Sequence, residues 1–190
     1  RTEIPITLRQ DKRNREPHLR PWRDGWRHLK FLLMFSPLWL FIIPALILII
    51  PSIIIMAGLL STPSTKLFHI AGFVFGEHWM VLSSGLIMIG YQLFLFGKTA
   101  TIYSYKHHIK RKSKIFQFFH DKFKTEQFLV LGIIITLIGV ALLGKIIYIW
   151  ASKNFGNLSR LREMIVATTL IVMGLQTIFS GFLSGIVREN

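Results

Sequence analysis

Four long apolar segments constrain the fold of this 190-residue chain more than any other feature. They cover about 37–60, 79–103, 127–150 and 164–187. A helix needs about 20 residues to cross the roughly 30 Å hydrocarbon core of a bilayer, and each segment is long enough. Composition agrees, because 52% of the residues are hydrophobic and the mean hydropathy is +0.49. The sequence therefore predicts an all-α integral membrane protein with four transmembrane helices arranged as two hairpins.

Positive charge is concentrated outside these segments. The formal net charge is +14, from 23 Lys and Arg against 9 Asp and Glu. Anionic lipid and phosphorylated substrates explain this charge better than nucleic acid does, because the charges flank apolar segments. We therefore expect membrane lipid as a partner and no nucleic acid. With no cysteine in the chain, disulfides and thiolate metal sites are excluded.

The distribution of Lys and Arg predicts the orientation in the membrane. Nine precede the first span and seven lie in the loop 104–126, against one after the first span and three after the third. Cytoplasmic loops carry the excess of positive residues. Both termini and the loop 104–126 are therefore predicted to be cytoplasmic, and we expect the cell membrane of a prokaryote.

A charged aromatic block stands directly before the first span, and the break after it is predicted at Ser36-Pro37. It reads Trp22-Arg23-Asp24-Gly25-Trp26-Arg27-His28-Leu29-Lys30. Indole rings prefer the headgroup level of a bilayer, where cations meet phosphates, so residues 22–36 are predicted to form an interfacial helix. The predicted interface residues are Trp22, Arg23, Trp26, Arg27, His28 and Lys30.

The loop 104–126 favours a second interfacial element. Phe116, Phe119 and Phe123 recur at helical spacing among lysines, which predicts an amphipathic helix. A solvated basic loop that only sets topology is the alternative. Residues 188–190 form a short tail.

The second and fourth spans are similar to each other. Residues 86–92 match 170–176, and Gly97 and Gly181 then fall at the same offset of 84. Two helical hairpins of the same orientation would form a parallel repeat. Chance similarity between apolar helices explains the match equally well, and the first and third spans show no convincing match.

Polar groups inside the predicted spans need partners, because lipid offers none. Gln92 and Gln176 are interpreted as interhelical hydrogen-bonding groups, with a polar site for a lipid phosphate or sugar as the alternative. Gly181 and Gly185 form a small-residue pair beside Ser180 and Ser184, which predicts close helix packing. Lys98 and Lys145 stand near span ends, where their side chains can extend to the interface.

The polar arm at residues 1–21 contains the candidate ligand-binding groups. Residues 3–8 alternate like a short strand, and residues 9–15 form a cationic run. Arginine binds phosphate oxygens bidentately, so the arm suits phosphate binding; a basic tether on anionic lipid is the alternative. His107-His108 is interpreted as part of a solvated loop, and no metal site is predicted.

Several of these motifs resemble a known family. The residues that carry the resemblance are Glu3-x-Pro5-Ile6, the segment Leu19 to Phe31 around the aromatic block, Phe35-Ser36-Pro37, Gly90-Tyr91-Gln92, Lys98, and Arg160-Leu161-Arg162-Glu163 through Gly174-x-Gln176. Over nearly the whole chain they are similar to the C-terminal part of family 2 polyprenyl-phosphate glycosyltransferases, which include dolichol-phosphate mannose synthase-like enzymes.

The resemblance implies a division of labour. Residues 1–21 would be the last strand and acceptor loop of a nucleotide-sugar-binding α/β domain, and 37–187 the membrane domain. We expect the catalytic residues and a divalent cation, Mg or Mn, in a missing N-terminal domain, so that this chain contains no catalytic residue, binds no cofactor and is inactive alone. The chain begins with Arg1, which fits that expectation.

The resemblance also implies a lipid acceptor, polyprenyl phosphate of the dolichyl or undecaprenyl type, with a nucleotide sugar as donor. Its phosphate would be bound by Arg9, Arg13, Arg15, His18 and Arg20. Many relatives have Gly-x-Ser-Lys in this loop; here residues 15–20 replace the Ser-Lys. The alternatives are a four-helix flippase for polyprenyl-linked sugars, or a scaffold subunit that forms homo-oligomers through Gly181 and Gly185.

Overall fold

The computed structural model describes residues 21–34, 36, 38–63, 67–70, 72–106, 125–156 and 160–189. The elements are helix α1 (Pro21–Met34), a π-helical turn (Leu38–Ile42), helix α2 (Ile43–Ser61), strands β1 (Phe68–Ile70) and β2 (Phe73–Phe75), and helices α3 (Glu77–Lys106), α4 (Thr125–Ser152) and α5 (Leu161–Glu189). The predicted phosphate-binding arm and most of the loop 104–126 lie outside the described residues.

Four helical segments are long and apolar enough to cross a membrane. They are Trp39–Ser61, Glu77–Ser104, Thr125–Ser152 and Leu161–Val187. Large apolar side chains such as Ile47, Ile53, Leu137 and Phe179 are exposed on their outer faces, which suits lipid rather than water. The predicted all-α fold with four transmembrane helices is confirmed.

The helices form two antiparallel hairpins, α2–α3 and α4–α5, and the hairpins meet where α3 lies beside α5. The chain therefore has two ends. The α1 end holds α1, the π-helical turn, the last turns of α3 and α5 and the first turn of α4. The β-hairpin end holds the two strands and the connections within each helical hairpin.

The π-helical turn lies where proline disrupts the first span. Pro44 has no backbone N–H to donate to the preceding turn, and the wider turn directly before it accommodates that loss. The backbone N–H groups of Trp39 and Leu40 both donate to the carbonyl oxygen of Ser36, at 3.1 and 3.2 Å. The predicted break at Ser36-Pro37 therefore separates α1 from the first span.

A short β-hairpin that is not predicted from the sequence lies at one end of the bundle. Phe68 pairs with Phe75, and Gly72 in the connection has a φ of +82°. Phe75 is buried and makes an edge-to-face contact with Trp79 at a centroid distance of 5.1 Å. The Phe68 ring packs over Gly58 so closely that a Cβ there would overlap it. Three-residue strands are too short for alternation to be recognised.

Glycine contacts reveal that the two hairpins are built alike. Gly90 on α3 faces the Ala45 carbonyl oxygen on α2, and a Cβ there would lie 3.0 Å from it. Gly174 on α5 faces the Gly132 carbonyl oxygen on α4 in the same way, at 2.8 Å. The glycines are 84 residues apart and their partners 87 residues apart.

A second pair of contacts repeats both offsets. Gly97 packs against Phe41 and Ile42 of the π-helical turn. Gly181 packs against Phe128 and Leu129 of α4. These two residues lie 87 positions after Phe41 and Ile42. The repeat is therefore structural, and it extends to the first helix of each hairpin. A single offset of 84 hid that half of the match, because the second hairpin has three fewer residues between its matched positions: 42 from Gly132 to Gly174, against 45 from Ala45 to Gly90.

Candidate functional site

Helix α1 presents two different faces side by side. Trp22, Trp26 and Leu29, spaced at i, i+4 and i+7, lie along one face, and Trp22 is 90% exposed. Arg23 and Arg27 lie one turn apart on the neighbouring face and are exposed. An indole that contacts so little protein can insert into a bilayer, and it prefers the boundary between the headgroups and the acyl chains.

The geometry of α1 suits binding to lipid phosphate. Two guanidinium groups one turn apart can donate to the same phosphate while the indoles enter the acyl region below it. His28 is exposed on a third side of the helix. The backbone of Lys30 lies in α1, but its side chain is outside the described residues, as are Arg9, Arg13, Arg15, His18 and Arg20 of the arm.

The structure brings the two predicted intramembrane amides together. Gln92 on α3 and Gln176 on α5 line one pocket of about 200 Å³ between the hairpins. The Oε1 atom of Gln176 is buried and accepts no hydrogen bond from the described residues. The interhelical hydrogen bond proposed for this amide is therefore not made through that oxygen.

Lys98 differs from its prediction. Its side chain is 3% exposed, and its Nζ lies 2.9 Å from the centroid of the Phe128 ring on α4. A cation over an aromatic face is attracted by the ring quadrupole. The Lys98 side chain is therefore covered by the first turn of α4 and is not exposed at the interface. Lys145 on α4 is exposed.

Arg162 is a buried cation whose role is not evident from the sequence. Its Nη1 donates to the carbonyl oxygens of Leu59 and Thr62, both at 2.7 Å, and its Nε lies 3.7 Å from Oε1 of Glu77. It satisfies carbonyls that α2 leaves unpaired at its C-terminus. A polar pocket of about 290 Å³ surrounds it. The sequence signal for this contact is that Glu77 and Arg162 each stand at the start of an apolar segment.

The small-residue face of α5 is used within the chain. A Cβ at Gly181 would lie 3.3 Å from Leu129, and one at Gly185 would lie 3.2 Å from Thr125, both on α4. Close packing at these glycines is therefore confirmed. The face that the scaffold alternative assigns to a dimer contact is therefore packed against α4 of the same chain.

Within the described ranges, no three His, Asp or Glu side chains come together as metal ligands. The fold and the exposed α1 together define a polytopic membrane bundle with an amphipathic juxtamembrane helix.

Comparison with known proteins shows which family of membrane proteins this chain resembles. Residues 98–188 match the family described as glycosyltransferase family 2 C-terminal transmembrane region. The chain is 31% identical over 188 residues to the low-salt glycan biosynthesis hexosyltransferase Agl6 of Haloferax volcanii. That alignment covers 98% of this chain and 43% of the relative. No solved structure matches significantly. Residues 98–188 therefore belong to the C-terminal transmembrane region of family 2 glycosyltransferases, and the chain spans less than half the length of the relative that it matches.

Proposed function

We propose that this chain anchors a family 2 glycosyltransferase in the membrane and binds its lipid acceptor. The reaction would move a sugar from a nucleotide sugar to polyprenyl phosphate of the dolichyl or undecaprenyl type. The observation that carries the proposal is α1, where an exposed aromatic face and an exposed cationic face lie side by side directly before the first span. A lipid with a phosphate head and a long apolar tail has the same two-part chemistry.

Each face of α1 has a part in the proposed mechanism. Arg23 and Arg27 neutralise and orient the acceptor phosphate, while Trp22 and Trp26 hold the first prenyl units at the interface. One phosphate oxygen attacks the anomeric carbon of the sugar, and the bond from that carbon to the nucleotide diphosphate breaks. Arg9, Arg13, Arg15, His18 and Arg20 of the arm would complete the phosphate site. This proposal assigns the divalent cation, which would stabilise the leaving diphosphate, to residues outside this chain.

We also propose that the α1 end faces the cytoplasm. The cations of the opposite end are partly neutralised: Arg160 pairs with Glu163 at 3.0 Å, and Arg162 lies 3.7 Å from Glu77. The segments before the first span and after α3 carry most of the Lys and Arg. This asymmetry supports a cytoplasmic α1 end, where nucleotide sugars are available.

Binding to the purified chain tests the proposed acceptor site. The chain would be placed in zwitterionic nanodiscs and titrated with undecaprenyl phosphate or with undecaprenol. Exchanging Arg23 and Arg27 for Gln should weaken binding of the phosphate about tenfold and leave undecaprenol binding unchanged.

A matched control removes the same charge at the other end of the bundle. Lys153→Gln combined with Arg160→Gln changes two exposed cations and should leave the affinity for undecaprenyl phosphate unchanged. Equal losses of affinity in the two double variants would show that net charge alone causes the effect, and would contradict the proposed site.

A polyprenyl-linked sugar flippase is the second candidate, and one observation favours it. The two hairpins form a parallel repeat with a pocket at their interface, an arrangement found in transporters. Reconstituted chain that moves a polyprenyl-phosphosugar between leaflets would support this function, and proteoliposomes no faster than empty vesicles would exclude it.

A further inference from the structure

The pocket between α3 and α5 is built from the internal repeat. Eight residues line it, and they form four pairs whose members are 84 residues apart: Gln92 and Gln176, Leu95 and Phe179, Phe96 and Ser180, Thr99 and Leu183. Equivalent residues of the two hairpins therefore face one space. The pocket lies between α3 and α5, the two helices through which the hairpins meet. Sites in membrane proteins with internal repeats commonly occupy such an interface.

Two polar atoms of residues that line this pocket make no hydrogen bond to a described residue. Oε1 of Gln176 and Oγ of Ser180 are both buried, and neither makes a hydrogen bond with a described residue. Ser180 is only 8% exposed. The two residues are one helical turn apart on α5, so they share a face, and the Gln92 amide stands on the opposite wall. An unpaired amide or hydroxyl in hydrocarbon is costly, so a bound polar group would be stabilised here.

The depth of the pocket excludes the acceptor phosphate as its occupant. Counting from Val187, where the span ends, Gln176 lies ~16 Å and Ser180 ~10 Å along the helix axis. A phosphate remains at the interface, and a prenyl chain has no hydrogen-bonding atoms to offer. The group that fits must be polar, uncharged and able to lie within the hydrocarbon region.

The walls and size of the pocket define the rest of the ligand. Phe96, Phe179 and Leu183 are exposed at its rim, so the pocket opens toward lipid. A volume of about 200 Å³ accommodates only part of a lipid molecule. Oε1 of Gln176 is an acceptor, so the ligand has to present a donor, which an ester or ether lipid lacks.

We propose that this inter-hairpin pocket binds the free hydroxyl group of a membrane-embedded lipid alcohol. The lipid O–H donates to Oε1 of Gln176, and its oxygen accepts from the Ser180 hydroxyl or the Gln92 amide. The apolar chain leaves the pocket past Phe96 and Phe179 into the bilayer. The proposal is independent of the acceptor site on α1.

A pair of probes that differ in one hydrogen-bond donor tests this site. The purified chain in nanodiscs would be titrated with 1,2-dioleoylglycerol and with its 3-O-methyl ether, and complexes counted by native mass spectrometry. The alcohol should form a one-to-one complex, and the ether should bind at least about fivefold more weakly, as expected for one intramembrane hydrogen bond. This comparison needs no variant, so it holds even if a substitution impairs folding.

Variants then locate the site. Gln176→Met and Ser180→Ala should each weaken binding of the alcohol about fivefold. Ser184→Ala is the matched control, because Ser184 lies one turn further along α5 with a buried hydroxyl that makes no hydrogen bond to a described residue, but it does not line the pocket. It should leave the affinity unchanged.

The proposal is overturned if the alcohol and its ether bind equally, or if Ser180→Ala behaves like Ser184→Ala. Absence of binding by either probe would also overturn it and leave water as the occupant. A complex containing two copies of the chain in place of lipid would assign the pocket to self-association and overturn it as well. Combined exchange of Arg23 and Arg27 for Gln should leave alcohol binding unaltered, which separates this test from that of the acceptor site.

Discussion

The hydroxyl oxygens of Tyr91 and Thr177 lie 2.7 Å apart and form a hydrogen bond between α3 and α5. Thr177 is fully buried, and its hydroxyl donates to the Met173 carbonyl oxygen at 2.7 Å. A hydroxyl has one proton, so Tyr91 is the donor between the two residues. This bond joins the two helical hairpins inside the membrane.

Removing this hydrogen bond should loosen the contact between the hairpins. Tyr91→Phe is expected to lower the free energy of unfolding by about 0.6–1.7 kcal/mol, the range of intramembrane hydrogen bonds. Thr177→Val should cost at least as much, because it leaves the Tyr91 hydroxyl without an acceptor. Thermal unfolding in detergent measures both variants, and the double variant gives the coupling energy. Tyr148→Phe is the control, since that ring is 75% exposed; equal destabilisation by it would contradict the assignment.

Arg162 should contribute more to stability than the exposed Arg160, which lies two residues earlier in the chain. Arg162→Ala leaves the Leu59 and Thr62 carbonyls without their donor and Glu77 without its partner, so we expect a loss of about 3 kcal/mol. Arg160→Ala removes a pair whose side chains are 44% and 47% exposed, and it should cost under about 1 kcal/mol. The same melting experiment compares the two, and similar losses would contradict a buried capping role.

The glycines of the repeat should not tolerate a methyl group. Gly90→Ala and Gly174→Ala each place a Cβ against backbone of the preceding helix, and we expect losses of about 1–3 kcal/mol. Gly85→Ala and Gly144→Ala are matched controls, because a Cβ at either position meets nothing within 4 Å. These controls should be neutral or slightly stabilising, since alanine favours helix. Losses of equal size at all four positions would argue against close packing as the cause.

The absence of cysteine makes the orientation directly testable. Single substitutions Lys153→Cys and Arg27→Cys place one thiol at each end of the bundle. In right-side-out vesicles, a membrane-impermeant maleimide should label the Lys153→Cys protein at once and the Arg27→Cys protein only after permeabilisation. Ile134→Cys, within α4, should resist labelling in both conditions. The opposite order would reverse the proposed topology.

Much of the fold was predictable because a bilayer restricts the choice of backbone structure. A long apolar segment has to become a helix in lipid, so Leu161–Val187 and the other spans could be recognised without tertiary information. The interfacial helix at 22–30 could also be predicted from the sequence, since Trp22 and Trp26 repeat at helical spacing beside Arg23 and Arg27. The sequence repeat could be recognised between α3 and α5, the second helices of the two hairpins, but not between α2 and α4, the first helices.

What could not be predicted depends on which faces meet. Lys98 is near a span end and reads as an interfacial lysine, yet Phe128 covers it. Arg162 reads as a loop charge, yet it reaches carbonyls 100 or more residues away in sequence. Gly185 predicts close helix packing without naming the partner helix, and its contact with Thr125 identifies that partner as α4.

Local chemistry alone determined the membrane class, the four spans, the amphipathic α1 and the charge asymmetry, because each depends on solvent preference along a single helix. Tertiary structure alone decided the pairing of the hairpins, the burial of Lys98 and Arg162, and the shared pocket of Gln92 and Gln176. Lipid does not distinguish one apolar helix face from another, so hydrophobicity carries no information about which faces pack. That choice rests on close fit at positions such as Gly90 and Gly174 and on a few polar contacts such as Tyr91 with Thr177.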